Sequence, residues 1–444
     1  MKPLLAGAAS ADITPLDRQF LFGYPHVERY STGVHDPLLS SAVYLAAGAE
    51  QMMFIANDII FVGKASAERV RVRIEAATGV PASHVMVTAT HTHSGPITVD
   101  YLSNEDDPVV PKADPTYLAH LEDGIVAAAL AAHAAAQPAE VGLAVANGSG
   151  VGGNRRDPTG PSDPQVPVLI VRAAGGGPIA CMLVCSMHPT VLHEDSTLVS
   201  ADFPGMARRF LQERVLGPQV PVVYHTGPAG NQSPRHVTRA NTFAEAERLG
   251  AILGKAVAEA VATVSYTSEV RLSSARRFLE LPRRTFPSVE EAQAKLVHAR
   301  ERLERLRREN APRQEIRTAE VDWFGAEETV TLARAAAEGR IEAYYRSCLP
   351  AEIQALSINK WTFVGWPGEV FVEYALEVKS QRPDTYILSL ANGELQGYIV
   401  TEEAAREGGY EASNGLFGPP AGRMLVEATL ELLGRHPPAT SEVQ

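Results

Sequence analysis

The sequence predicts an α/β protein with a layered, mixed β-sheet core flanked by helices, and with a helical hairpin inserted late in the chain. Three observations lead there. Over the first two-thirds, short apolar runs of strand length alternate with longer stretches of helical spacing, the pattern of helices packed on a sheet. Glycine and proline, 35 and 31 in number, fall between these periodic stretches and not in one long linker. The 444 residues are 45% hydrophobic, enough for a large core, and a single domain over residues 1–440 is the expected organisation.

The elements follow in order. Residues 42–47 and 52–56 are apolar runs of strand length. Residues 66–77 have helical spacing and stop at Gly79-Val80-Pro81. Residues 84–90 form the next strand, and 116–136 an Ala-rich helix. Strands are predicted at 141–146, 166–172, 179–186 and 220–225, and helices at 204–215 and 243–264. Residues 284–346 are rich in Ala, Glu and Arg with few strand formers, and read as the helical hairpin, a lid or an interface arm. Strands return at 352–358, 361–365 and 385–390, with helices at 369–380 and 422–435 and a frayed Pro-rich end.

Composition excludes several classes. The 52 acidic side chains outnumber 40 basic ones for a net charge of −12, which repels phosphate backbones and argues against nucleic acid as a partner. Cys181, Cys185 and Cys348 are too few for a disulfide framework. No run of about 18 uncharged apolar residues exists, so no membrane span is expected. The opening Met1-Lys2-Pro3-Leu4-Leu5-Ala6-Gly7 is too short an apolar run for a signal peptide. The cytoplasm is therefore the expected location, with secretion left open and the oligomeric state unread.

The chemistry-bearing residues follow strands, where α/β folds carry their sites. His91-Thr92-His93-Ser94-Gly95-Pro96 follows the strand at 84–90; residues two apart in an extended chain face one way, so His91 and His93 could enter one pocket. They read either as a metal ligand with a proton-transfer partner or as a hydrogen-bonded structural pair. His188, before Pro189-Thr190, repeats the arrangement at the end of another strand. His193-Glu194-Asp195 reads as a solvated loop or a second metal site. Gly227-Pro228-Ala229-Gly230-Asn231-Gln232-Ser233-Pro234 is a tight turn in which Ser233 could be a nucleophile or a hydrogen-bond donor. Arg155, in Gly153-Asn154-Arg155-Arg156-Asp157, could stabilise an oxyanion or lie on the surface. Glu369, after Trp366-Pro367-Gly368, falls in the first turn of a predicted helix, as a cap or a ligand. Asp58 and Asp202 stand at strand-end and helix-start positions, as caps or site residues.

In this order the motifs resemble the neutral (alkaline, non-lysosomal) ceramidase family: Ala11-Asp12-Ile13-Thr14-Pro15, His91-Thr92-His93-Ser94-Gly95-Pro96, Asn154-Arg155, His188-Pro189-Thr190, Ser233-Pro234, Pro367-Gly368-Glu369, Tyr398, Tyr410-Glu411-Ala412-Ser413 and Leu416-Phe417-Gly418-Pro419. The order runs from residue 11 to about 430. The resemblance implies one Zn2+ per chain, held by His91, His188, Glu369 and Tyr398. It implies that His93, Arg155 and Ser233 act on the substrate. The implied reaction is hydrolysis of an N-acyl amide, ceramide or a ceramide-like lipid amide, through a metal-activated water. Alternatives are a smaller amide or an ester as substrate, or a metal-independent serine hydrolase using Ser233. Glu394 competes with Tyr398 as the fourth ligand, because the segment 392–397 is one residue longer than the family's. The family's C-terminal β-sandwich is not expected in these 444 residues, and its acidic residue before the serine is replaced by Gly230-Asn231-Gln232.

Overall fold

The computed structural model describes residues 2–435; the end read as frayed lies outside the described residues. Strands β1 (Lys2–Asp12), β2 (Leu39–Ala47), β3 (Glu50–Asn57), β4 (Val85–Ala89), β5 (Gln137–Asn147), β6 (Gln165–Ala173), β7 (Pro178–Cys185) and β8 (Val222–Thr226) form one sheet in the order β8-β7-β6-β5-β1-β2-β3-β4, with the short strand Glu269–Val270 beside β1. Only the outermost pairs, β8 with β7 and β3 with β4, are parallel; the others are antiparallel. A second sheet, β9 (Leu272–Leu279), β10 (Ala351–Ile358), β11 (Trp361–Gly365) and β12 (Thr385–Leu388), runs in chain order and ends in a parallel pair.

Alternate residues of these strands face different cores, as the two-residue period of a strand requires. In β2, Val43 and Leu45 join Phe363 and Leu388 of the second sheet in a shared core, while Ala42, Tyr44 and Ala46 face the opposite side. There α1 (Lys64–Thr78) and α2 (Pro115–Ala134) cover one half of the large sheet, and α3 (Asp202–Leu211) and α4 (Phe243–Val261) cover the other. Ile353, Ala355 and Val364 face outward from the second sheet onto helices. The layers are helix, sheet, sheet, helix, so both faces of each sheet are buried, as the predicted layered α/β class requires.

The hairpin predicted at 284–346 is α5 (Val289–Arg308) and α6 (Arg313–Ala337), followed by α7 (Ile341–Cys348). Ser288 and Glu291 close a reciprocal capping box at the start of α5. The arm is docked along its length: Glu328 of α6 accepts from Asn104 and Asn414 at 3.1 and 2.8 Å, and Arg317 meets Glu194 at 2.8 Å. The central strand β1 had no counterpart in the sequence reading, nor had β9. Over residues 6–11 β1 is only Ala, Gly and Ser, with no β-branched or aromatic residue to mark a strand. Its Gly7 lets α2 come close enough that a Cβ there would lie 2.2 Å from the Ala132 carbonyl oxygen.

Sheet curvature brings the two edge strands together. The Thr226 hydroxyl at the end of β8 donates to the Thr90 carbonyl just past β4 at 2.7 Å, and Thr88 is hydrogen-bonded to His225 at 2.7 Å. Residues 389–392, leaving β12, lie in this seam: Ser389 donates its amide to Thr226, and Asn392 to Val87, both at 2.8 Å. Cys181, Cys185 and Cys348 are free and buried, and no helix among the described residues is long and apolar enough to cross a membrane.

Candidate metal and catalytic centre

The seam between β4 and β8 is where the predicted residues meet. His91 follows β4 and has left the extended conformation, with φ at +70°. Its amide donates to Ile59 and its Nδ1 to the Ile60 carbonyl, each at 2.9 Å. The argument from strand alternation therefore fails for His91 and His93, since a left-handed residue breaks the period; the two rings converge all the same, Nε2 to Nε2, at 3.3 Å. His188, past β7, sends Nδ1 to the carbonyls of Ala229 and Gln232 at 2.6 and 3.0 Å. These belong to the turn after β8, whose Gly230 comes close enough to the backbone of Glu369 and Val370 that a Cβ there would lie 3.0 Å from each.

Glu369 is not in a helix. It sits in a two-residue strand, Glu369–Val370, paired in parallel with Tyr398–Ile399, and Glu369 and Tyr398 are register partners. The helix begins only at Val372 (α8, Val372–Gln381), because Phe371 is still extended. The Glu369 carboxylate lies 2.9 Å from Nε2 of His188 and 3.2 Å from Nε2 of His91. A carbonyl only accepts, so both Nδ1 atoms carry the proton and both Nε2 atoms offer lone pairs. Burial and the nearby Arg155 push the His188 pKa down to about 4, so at neutral pH its lone pair faces a carboxylate oxygen with no proton between them. Lone pairs converging on one point, each imidazole braced from behind by a backbone carbonyl, fit a divalent cation.

His91, His93 and His188 bring one ring nitrogen each within 4.8 Å of one another. His93 differs from the other two: its Nδ1 is buried without a partner, and burial holds its pKa well below the ordinary value. Tyr24 packs edge-on against it at 5.4 Å, and Gly23 lies directly behind it. Sequence reading missed Arg29, which is fully buried and donates to the His93 carbonyl, to Ser94 Oγ at 3.1 Å and to the Ser196 carbonyl at 2.6 Å, bracing the histidine loop.

Arg155 and Ser233 are neighbours because the short strands Gly153–Asn154 and Gln232–Ser233 pair. Arg155 lies over the Tyr398 ring at 5.2 Å and donates Nε to Glu411 at 2.8 Å, while its Nη2 is buried without a partner. Burial opposes its charge, but Tyr398 and Glu411 more than offset this and raise its pKa. Glu411, also shared by Arg156 at 2.9 Å, lies in the Tyr410-Glu411-Ala412-Ser413 motif, to which the sequence assigned no separate role. Ser233 Oγ accepts from the Arg235 amide at 3.2 Å, and no histidine or carboxylate among the described residues bonds it. Glu394 accepts from Tyr101 at 2.9 Å and stands outside the imidazole cluster, its pKa driven well up by burial. Asp58 pairs with Arg208 at 2.7 Å, and Asp202 accepts the amides of Val191, Leu192 and Phe203, so both serve the scaffold. Glu194 is taken up by Arg317, leaving no second metal group with His193.

A cavity of about 490 Å³ opens from this centre, lined by His93, Arg155, Ser233 and Tyr398 below and by Ile316, Val321 and Phe324 of α6 above. The predicted lid is thus one wall of the site.

The fold is thus a layered α/β scaffold carrying a cluster of three histidines, two of them buried, that could hold a metal. The sequence model for "neutral/alkaline non-lysosomal ceramidase, N-terminal" matches residues 4–225, half of the chain, and the chain belongs to that family of amide hydrolases. The crystal structure of neutral ceramidase from Pseudomonas aeruginosa matches 99% of this chain and 76% of its own at a TM-score of 0.77 and 19% identity. A ceramidase described as complexed with C2 matches 100% and 77% at 0.75 and 18%. At these identities the likeness concerns the fold. Comparison with curated proteins found no match.

Proposed function

We propose that the protein is a zinc-dependent amidase that hydrolyses the amide bond of an N-acyl lipid amide, with His91, His188, Glu369 and Tyr398 as the zinc ligands. The observation that carries this is the meeting of imidazole and carboxylate lone pairs at 2.9 and 3.2 Å, with both Nδ1 protons already bound to backbone carbonyls. Tyr398 is the fourth candidate because it is paired in register with Glu369. Zinc bound there would supply Lewis acidity and a water acidified towards a pKa of about 7.

The chain's own residues do the rest. The unpartnered Nη2 of Arg155 is available to the carbonyl oxygen as charge develops, and Glu411 holds the guanidinium in place. His93, which lines the cavity, is the candidate to hand a proton to the leaving amine. Ser233 orients the scissile group from the turn opposite Arg155. A Ser233 nucleophile is not favoured, because no base contacts its hydroxyl among the described residues.

The test measures metal content and release of fatty acid from an N-acyl amide for wild type and His188→Ala. One zinc per chain, lost together with turnover in the variant, supports the reading. Turnover by metal-stripped protein would sink it and return Ser233 to the centre.

A further inference from the structure

Resting on the amidase reading, we propose that Arg235 anchors a small anionic group on the amine half of the substrate, so that the amide cleaved here is of the N-acyl amino acid or N-acyl taurine kind. Four arginines line the cavity against two glutamates. Arg155 is met by Glu411, Arg317 by Glu194 and Glu320, and Arg313 by Asn241. Arg235 differs: among the described residues no carboxylate oxygen lies within 4.0 Å of its guanidinium and no side chain or carbonyl accepts from it.

The guanidinium of Arg235 opens onto the cavity, and none of its nitrogens is both buried and unpartnered. It is part-buried in the cavity wall. Its backbone amide holds Ser233 Oγ, which ties it to the proposed reaction site at a separation of two residues. Burial lowers its pKa to about 10, and repulsion from Arg155 and Arg317 adds to this; Glu411, the nearest source of relief, is already shared by Arg155 and Arg156. A part-buried cation with no protein counter-charge is held by solvent alone, and an anion brought in by a ligand would take the place of that solvent. A guanidinium pairs with carboxylate or sulfonate through two parallel hydrogen bonds.

The anion belongs to the amine half for a geometric reason. Arg155 and Ser233 receive the amide group in the proposed reading, and Arg235 lines the same cavity, its backbone amide bonded to Ser233 Oγ at 3.2 Å. The far end of a fatty chain has left that neighbourhood, along the apolar residues of α6, whereas a group one or two carbons beyond the amide nitrogen has not. The binding step needs no bond made or broken at Arg235.

The experiment uses zinc-loaded, full-length protein with N-dodecanoylglycine, N-dodecanoyltaurine and the neutral N-dodecanoylethanolamine. Calorimetric binding and kcat/KM are measured for wild type, Arg235→Gln and Arg235→Lys, with zinc content checked in each. Wild type should prefer the anionic amides by about 10- to 100-fold, the range for a charge-assisted hydrogen bond. Arg235→Gln should bring that ratio close to one, and Arg235→Lys should retain part of it. Glycine and taurine amides behaving alike would identify the recognised feature as charge; a preference for only the first would narrow it to carboxylate. No preference in wild type overturns the inference. So does a preference that survives in Arg235→Gln, since the anion would then be held by another group of the cavity. Selective binding without hydrolysis of any of the three would leave Arg235 as the anchor and refute the amidase reading instead.

Discussion

Glu411→Gln tests whether Arg155 is held in position from behind. Glu411 is buried and accepts from Arg155 Nε at 2.8 Å and from Arg156 Nη1 at 2.9 Å, so one carboxylate neutralises two guanidinium groups. Those two cations outweigh the cost of burial and keep its pKa below the ordinary value. Glutamine has the same shape but no charge, and its NH2 group would face a cation. Breaking a buried pair in this way costs about 3–5 kcal/mol. The low end is expected, because Arg156 keeps Glu407 and the Gly408 carbonyl and Arg155 keeps Tyr398. Guanidinium unfolding should show a free energy lower by about 3 kcal/mol at unchanged slope. An oxyanion donor that loses its support should lower kcat by about 10²-fold, with zinc content retained. The double variant Arg155→Met/Glu411→Leu should recover much of the stability and none of the turnover, since it removes the stranded cation together with the proposed catalytic group. A Glu411→Gln protein that unfolds and turns over like wild type would refute the reasoning.

Three further outcomes are expected. His225 lies in the seam, hydrogen-bonded to Thr88, and burial lowers its pKa to about 3. Its folded pKa is below the unfolded value of about 6.5, so unfolding takes up a proton; the stability from keeping it neutral is complete above about pH 6.5 and is lost as pH falls toward 3. In His225→Met the slope of unfolding free energy against pH between 6 and 4 should fall by up to about 1.4 kcal/mol per pH unit, and an unchanged slope would show that His225 does not titrate this way. Tyr398→Phe keeps the ring beside Arg155 but should weaken zinc binding at least about tenfold in competition with a chelator; equal affinity would remove Tyr398 from the ligand set. At Gly23, with φ at +118°, an added Cβ would lie 2.3 Å from His93 Nδ1. Gly23→Ala should therefore displace His93 and lower kcat by about 10²-fold while zinc stays bound, and a variant with normal kcat would show that His93 need not stand where it does.

The sequence made the site more legible than the scaffold. His91, His188 and Ser233 each end or follow an apolar run, and that local signal survives in the fold. The sequence places Glu369 in the first turn of a helix, whereas its strand exists only through pairing with Tyr398, 29 positions away, which local pattern does not carry. Arg29 and Arg235 have no signal in the sequence for a related reason. Nothing near them in sequence distinguishes an arginine braced against a buried loop from a solvated one. A guanidinium with no partner is visible only once every neighbour has been positioned. The alternation of α and β elements predicted layers, but the second sheet depends on β9, whose Ser274, Arg276 and Arg277 hide the strand period.

The seam explains why these residues, so far apart in sequence, form one site. An edge strand leaves unpaired backbone groups that must be covered. In the large sheet the two edges, β4 and β8, cover each other through Thr88, Thr226 and His225, and residues 389–392 take up the remaining amides and carbonyls from the second sheet. The chain emerging from each of these strands is therefore delivered to the same place: His91 from β4, the turn that braces His188 from β8, and Tyr398 from the segment after β12. Glu369 arrives from β11, the parallel neighbour of β12. None of these groups is positioned by local structure alone, so the donor set is complete only when both edges and the second sheet have packed. A cation that binds this set binds the closed seam and not the unfolded chain, and its binding free energy adds to the stability of the whole core. The left-handed backbone at His91, Leu390 and Asn392, with φ of +70°, +54° and +61°, lies at that closure, where backbone strain is held by the packing on both sides.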